Sequence, residues 1–216
     1  MPDNNIKLDI SRAKSSAVSD AHGVTPAELE ALAPRINDLH AILSREREAG
    51  TYGFYDLYKD EAGLRRVRAG AARFLERGYD NLVVLGIGGS ALGATALHTA
   101  LNSPYHNLMS RSRRKNHPRL FVMDNIDPES FHTMLRLCRP RKTLFNVISK
   151  SGGTAETMSQ CMIVVDALEK KLGADALKDH LVVTSSPRSP GAPKSLLHPV
   201  ADTYGLETFD IPVNVG

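Results

Sequence analysis

Cysteine is scarce in this sequence: Cys138 and Cys161 are the two in 216 residues, and no C-x-x-C pair is formed. A disulfide framework or a zinc site is therefore not expected, a reducing compartment is favoured, and both residues read as buried thiols. Long apolar runs are also missing. Nothing approaches the roughly 20 residues that a membrane-spanning helix needs, and the opening "MPDNNIKLDISRAK" has no apolar core of a secretory signal. The expectation is a cytoplasmic protein with no membrane contact. Charge of one sign is weak as well: 27 Lys and Arg against 24 Asp and Glu leave a formal charge of +3. That is too little to imply nucleic-acid binding, although a pI near 8.9 suits an anionic substrate. There is no internal repeat. The one biased segment, "RSRRKNHPR" from Arg111 to Arg119, reads as a solvated surface loop ahead of a partner or nucleic-acid contact.

What is present is ordinary globular material, 42% hydrophobic and 24% charged, enough for one large domain or two small ones. The first 50 residues read as a helical segment. "TPAE", Thr25 to Glu28, has the form of a capping box with Pro26 at the first helical position, and Pro34 should kink the helix that follows. A second amphipathic helix, "EAGLRRVRAGAARFLERG", ends at Gly78. Beyond it, short apolar runs alternate with helical patterns: "NLVVLG" (81–86), "RLFVMD" (119–124), "TLFNVIS" (143–149), "HLVVTS" (180–185) and a weaker "LETFDI" (206–211). Runs that are continuously apolar, not alternating, belong to strands buried on both faces. Residues 51–216 are therefore expected to form a doubly wound, mostly parallel α/β sheet, with ligands at the strands' carboxyl ends.

Two loops lie at such ends. In "VVLGIGGSALGATAL", Gly86, Gly88 and Gly89 turn the chain from strand to helix and Ser90 opens the helix. A plain tight turn would also need glycine. A dinucleotide fingerprint is the sharper alternative, because Gly86, Gly88 and Ala91 fit G-x-G-x-x-A and Asp124 ends the next strand. The spacing opposes it: Asp124 follows Ala91 by 33 residues where roughly 20 are expected. So does the second loop, "SKSGGT", where Ser149, Ser151, Gly152, Gly153 and Thr154 form a separate anion nest at a helix N-terminus. A single phosphate explains hydroxyls and amides gathered there. Lys150 is left open between pairing with the phosphate and pointing away. Glu156, in the first helical turn, would repel a phosphate and is read as turning aside to cap a backbone amide. His98 and His132 fall in helical patterns and read as packed or solvent-facing.

"LGIGGSALG" and "SKSGGTAET" at this separation, with "DNIDP" between them and "FDIPVNVG" after them, resemble the glucose-6-phosphate isomerase family, from about Thr51 to Gly216. The resemblance implies a sugar-isomerase (flavodoxin-like) fold, with the substrate phosphate held by Ser149, Lys150, Ser151, Gly152, Gly153 and Thr154 and the sugar site lined by Gly89 and Ser90. It implies interconversion of glucose 6-phosphate and fructose 6-phosphate through an enediol, without metal or cofactor, in an enzyme that is a homodimer at full length. The family's catalytic Glu, His, Lys and Arg lie beyond the equivalent of Gly216, so no catalytic residue is expected within this chain. The sequence matches about the N-terminal half of the family's length. Together with a last stretch, "ETFDIPVNVG", that stops after a strand and turn, this leads us to expect a piece of a longer protein. The second reading is a non-catalytic sugar-phosphate-binding regulatory module on the same fold. A fused helix-turn-helix would favour it, and the N-terminal helices do not resemble one.

Overall fold

A computed structural model of the chain describes residues 7–215. The chain divides into two compact units, Met1–Tyr52 and Gly53–Gly216. The described part of the first holds a short helix, α1 (Ser15–Val18), and a long one, α2 (Pro26–Glu48). The capping box reads from sequence as it folds. The Thr25 hydroxyl oxygen accepts from the Glu28 amide at 3.2 Å, and the Glu28 carboxylate accepts from the Thr25 amide at 2.9 Å. Pro34 lies inside α2 and does not divide it.

The second unit begins with α3 (Glu61–Glu76) and continues as β1 (Asn81–Leu85), α4 (Gly89–Leu101), β2 (Arg119–Met123), α5 (Pro128–Leu137) and β3 (Thr143–Ile148). It ends with α6 (Ala155–Leu172), α7 (Leu177–His180), β4 (Leu181–Ser185), α8 (Leu197–Tyr204) and β5 (Glu207–Asp210). The five strands pair in parallel in the order β2-β1-β3-β4-β5. Each apolar run became a strand, the weak one included. α8 had no counterpart in the sequence reading, because Pro199 interrupts its pattern and the stretch before it is rich in Pro and Ser.

The direction of each crossover decides where the helices lie. Stepping from β1 to β2 runs one way along the sheet and every later step runs the other, so right-handed connections put α4 on one face and α5, α6 and α8 on the opposite one. The second face carries the main core. Val83, Leu85, Phe145, Val147, Leu181 and Val183 pack there with Phe131 and Met134 of α5, Val164 and Leu168 of α6, and Leu197 of α8. Full burial of such side chains contributes about 1.5–3 kcal/mol each. Opposite, α3 flanks β5, with Gly70 so close to it that an added Cβ would meet the Phe209 ring at 2.5 Å. Between α3 and α4, the strand side chains Leu82, Leu144 and Val182 line, with Phe74, an apolar groove of ≈ 840 Å³. At the amino end of the sheet, buried Asn81 fixes the register of three strands. Its Nδ2 donates to Thr143 Oγ1 at 3.0 Å and its Oδ1 accepts from Arg119 Nε at 2.9 Å. Among the described residues no helix is long and apolar enough to cross a membrane.

The two cysteines lie inside the main core, and burial pushes both thiols up to about 11. At pH 7.5 neither presents a thiolate or an accessible sulfur. Titration with a chromogenic disulfide reagent is expected to count no reactive thiol in the native chain and both in guanidinium chloride. Prompt labelling of either in the native state would place that cysteine outside the core.

Candidate functional site

β1 and β3 are neighbours whose outgoing connections leave in opposite directions, and the crevice outside their carboxyl ends is where such sheets bind ligands. Both glycine-rich loops open there. In the first, Gly86 is buried, and a Cβ on it would meet Ser90 Cβ at 2.9 Å and the Ile148 carbonyl oxygen at 3.1 Å. Glycine at this position lets the two loops touch. Gly88 has φ +56°, the left-handed region that glycine enters without strain. Gly89 opens α4 from an exposed position where a Cβ would meet nothing within 4 Å, and Ser90 is half-buried behind it. The first loop thus offers an open, backbone-lined floor.

The second loop is rich in hydroxyls that are held in place by its own amides. Gly152 N–H donates to Ser149 Oγ at 3.1 Å, and Gly153 N–H donates to Ser151 Oγ at 3.0 Å. Each amide occupies a lone pair of its serine, which leaves the hydroxyl proton free to be given to another acceptor. Ser149 Oγ also lies 3.4 Å from Thr154 Oγ1. Thr154 is the N-cap residue of α6, with extended φ and ψ, but its side chain makes no capping bond. The α6 terminus therefore keeps its partial positive charge for a ligand, with Ser149, Ser151 and Thr154 hydroxyls beside it.

Two side chains behave differently from the sequence reading. Lys150, left open there, sends its ammonium away from the nest: Nζ donates to the main-chain oxygen of Val213 at 3.0 Å and to that of Val215. It ties the 211–215 segment to the loop. Glu156 caps no backbone amide, and among the described residues its half-buried carboxylate has no hydrogen-bond or ion-pair partner. It stands at the second helical position of α6, one short of the third position from which Glu28 reaches back to its own N-cap amide.

The remaining candidates separate from the site. Asp124 lies just past β2 and is exposed. His98 packs edge-on against His106 at 4.9 Å and lines the groove on the α3 and α4 side of the sheet. Burial, then the neighbouring His106, lower its pKa. The basic segment is not simply solvated. Arg111 donates to the Gly78 carbonyl and pairs with Asp80, while buried Arg114 donates to the Met109 and His117 carbonyls. Arg114 thus staples its own loop, and Arg111 ties the loop to Gly78 and Asp80. Next to the nest, Gln160 of α6 donates Nε2 to the Asn125 carbonyl at 2.8 Å, joining the "DNIDP" segment to α6. Sequence reasoning also passed over Ser185, Ser186 and Ser195, buried beneath the second loop. The only signal for them was a cluster of serines just past a strand end.

Residues 63–190, which include both loops, match the family model for phosphoglucose isomerase. The chain belongs to this family. It is 40% identical over 191 residues to a glucose-6-phosphate isomerase of Carboxydothermus hydrogenoformans, covering 88% of this chain and 39% of that protein. With a glucose-6-phosphate isomerase of Rubrobacter xylanophilus the identity is 34%, over 90% of this chain and 42% of the other. The fold is similar to the crystal structure of a hypothetical protein from Thermus thermophilus, with TM-score 0.68, 34% identity, and 88% and 42% of the two chains covered. It is also similar, with TM-score 0.50 and 28% identity, to a glucose-6-phosphate isomerase from Chlamydia trachomatis, over 72% of this chain and 28% of that one. The chain spans about two fifths of the length of the curated relatives it matches.

Within the second loop, Gly152 is the position with least freedom. Its φ is +66°, and a Cβ would meet Ser195 Oγ at 2.6 Å and the backbone nitrogens of Leu196 and Leu197 at 2.7 Å. The left-handed conformation alone costs a non-glycine residue roughly 1–2 kcal/mol, and a backbone nitrogen cannot rotate out of the way. Gly152→Ala is expected to displace the Ser149–Thr154 loop and to abolish anion binding, read by amide chemical shifts of residues 149–157. Gly89→Ala, with open space around it, should leave the same amides in place. Equal spectra for the two variants would mean that the loop is not held against the 195–197 turn.

Proposed function

We propose that the full-length protein interconverts glucose 6-phosphate and fructose 6-phosphate, and that this chain supplies the half that holds the substrate phosphate. The observation that carries this reading is the nest of Ser149, Ser151 and Thr154 hydroxyls at the N-terminus of α6, with the Gly152 and Gly153 amides donating to the two serines. A hydrogen bond to a charged acceptor contributes about 1.5–3 kcal/mol and the helix end about 0.3–1 kcal/mol, so the hydroxyls dominate. The names of the related proteins supply the sugar; the nest supplies the reason a phosphate monoester suits this chain.

In this reading Ser149, Ser151 and Thr154 donate to phosphate oxygens, while Gly152 and Gly153 keep those hydroxyls aimed. The main chain of Lys150 belongs to the loop, and its ammonium holds the following segment. Gly89 and Ser90 line the sugar side of the crevice, where the absence of a side chain at Gly89 lets the substrate's carbon chain lie against the backbone. The reaction moves a proton between adjacent carbons and needs a carboxylate base, an acid for ring opening and a cation beside the enediolate. The family resemblance assigns these to the remainder of the full-length protein, a homodimer expected in the cytoplasm. Phosphate binding by itself favours ground and transition states almost equally, which gives affinity and not rate.

Titration calorimetry of this chain with inorganic phosphate, fructose 6-phosphate and NAD is expected to give saturable binding of the first two. Saturation by NAD without a phosphate response would overturn the reading. Thr154→Ala removes one donor to a charged acceptor and should cost about 1.5–3 kcal/mol, roughly one to two decades in affinity. An unchanged dissociation constant would make Thr154 structural only. In a coupled assay that consumes fructose 6-phosphate, the 216-residue chain alone is expected to show no turnover. Turnover that disappears with Glu156→Gln would instead assign the unpaired carboxylate of α6 as the base.

A further inference from the structure

We propose that Ser185, at the carboxyl end of β4, is a positioning residue that sets the anion-binding conformation of the Ser149–Thr154 loop. The inference rests on the phosphate reading of that loop and concerns a residue outside it. The main-chain oxygens of Ser149, Lys150 and Ser151 accept bonds from residues beneath the loop. Ser185 Oγ lies 2.6 Å from the Ser149 carbonyl oxygen and 3.1 Å from that of Lys150. The Lys150 oxygen also accepts from the Ser186 amide at 3.1 Å, and the Ser151 oxygen accepts from the Leu196 amide at 3.1 Å. Ser195 Oγ, 2.6 Å from Ser185 Oγ, accepts in turn from the Leu197 amide at 3.1 Å. Ser185, Ser186 and Ser195 are 2%, 1% and 4% exposed, so water does not substitute for the bonds of their hydroxyls.

A peptide unit is planar and trans, so turning a carbonyl to one side turns the next amide to the other. Carbonyls 149, 150 and 151 held downward therefore face the amides of Lys150, Ser151 and Gly152 away from the brace. The Gly152 amide is the one that pins Ser149 Oγ. Ser185 thus acts on the nest from its base: it fixes the carbonyls of Ser149 and Lys150, the Leu196 amide fixes that of Ser151, and the orientation that follows leaves the hydroxyls of Ser149 and Ser151 as donors. Ser185 itself touches no ligand. Its one proton has three oxygens within reach, two of them in the loop, and no other side-chain hydroxyl among the described residues reaches these carbonyls.

Ser186 provides the control. It is as buried as Ser185, and its hydroxyl donates to the Pro193 carbonyl at 2.7 Å and not to the loop. The bond that Ser186 makes to the loop comes from its amide, which an alanine keeps. The experiment is a nuclear magnetic resonance titration of the labelled chain with inorganic phosphate, and separately with fructose 6-phosphate. Ser185→Ala is expected to weaken both about tenfold and to shift the ligand-free amides of residues 150–154, with strand amides unmoved. Ser186→Ala loses a buried bond of its own, so it should lower the melting temperature and leave both dissociation constants unchanged. If the wild-type chain binds phosphate and Ser185→Ala binds it equally well, the positioning role is wrong and the phosphate reading stands. If the wild-type chain binds neither ligand, both fall together. Should Ser185→Ala not fold, Ser185→Cys, which fills nearly the same space with a far weaker donor, must then weaken phosphate binding. An unchanged affinity in that variant would overturn the proposal.

Discussion

The close approach of the Gly86 turn to the end of β3 is the constraint on which the rest of the site depends. Strands β1 and β3 pair in parallel along their whole length, so their carboxyl ends stop at the same level and their loops must share one space. Any side chain at Gly86 would collide with the Ile148 carbonyl or with Ser90. Because glycine stands there, a floor of bare backbone from the first loop meets a wall of hydroxyls from the second. Residues more than sixty positions apart in sequence thereby become one surface, and the sheet topology decides which face of it is open.

The same topology explains how unevenly the molecule is covered. Three crossovers run in one direction and stack α5, α6 and α8 over one face of the sheet, where the largest fully buried side chains gather. A single crossover runs the other way. α4 and the preceding α3 are then left at opposite sides of the second face, and the groove between them is lined by Leu82, Leu144 and Val182. Polar anchoring replaces packing at its amino end, where Asn81 links three strands. A one-residue slip there would break both of its bonds and move every core side chain to the wrong face.

Legibility in the sequence followed the physics of each element. The strands were readable because they are buried on both faces and so must be apolar at every position, a pattern that few other local structures produce. The capping box was readable because all its partners lie within four residues. α8 was not, since its helical character comes from packing Leu197 and Ala201 on the core and not from local propensity. The candidate residues Gly89, Ser90, Ser149, Ser151, Gly152, Gly153 and Thr154 could be listed from sequence, and the structure places them in the two loops that follow the neighbouring strands β1 and β3. The direction of the Lys150 side chain could not be foreseen, because its partners are carbonyls more than sixty residues later. Nor could the brace, since Ser185 and Ser195 matter only through a turn that folds beneath the loop.

That brace bears on why a serine-rich loop suits a phosphate better than a loop of glycines alone would. A purely glycine nest offers amides whose directions depend on soft dihedrals, and ordering them on binding costs conformational entropy. Here two of those amides are already engaged by hydroxyl oxygens, and the carbonyls behind them are fixed by Ser185, the Ser186 amide and the Leu196 amide. The ordering cost falls on folding instead of on binding. A phosphate then meets donors that need only rotate a hydroxyl proton, the least costly motion available to a side chain. On the proposed reading, the arrangement would hold a small dianion in one orientation while contributing nothing at the far end of the substrate. In a sugar phosphate this separates the task of gripping from the task of moving a proton.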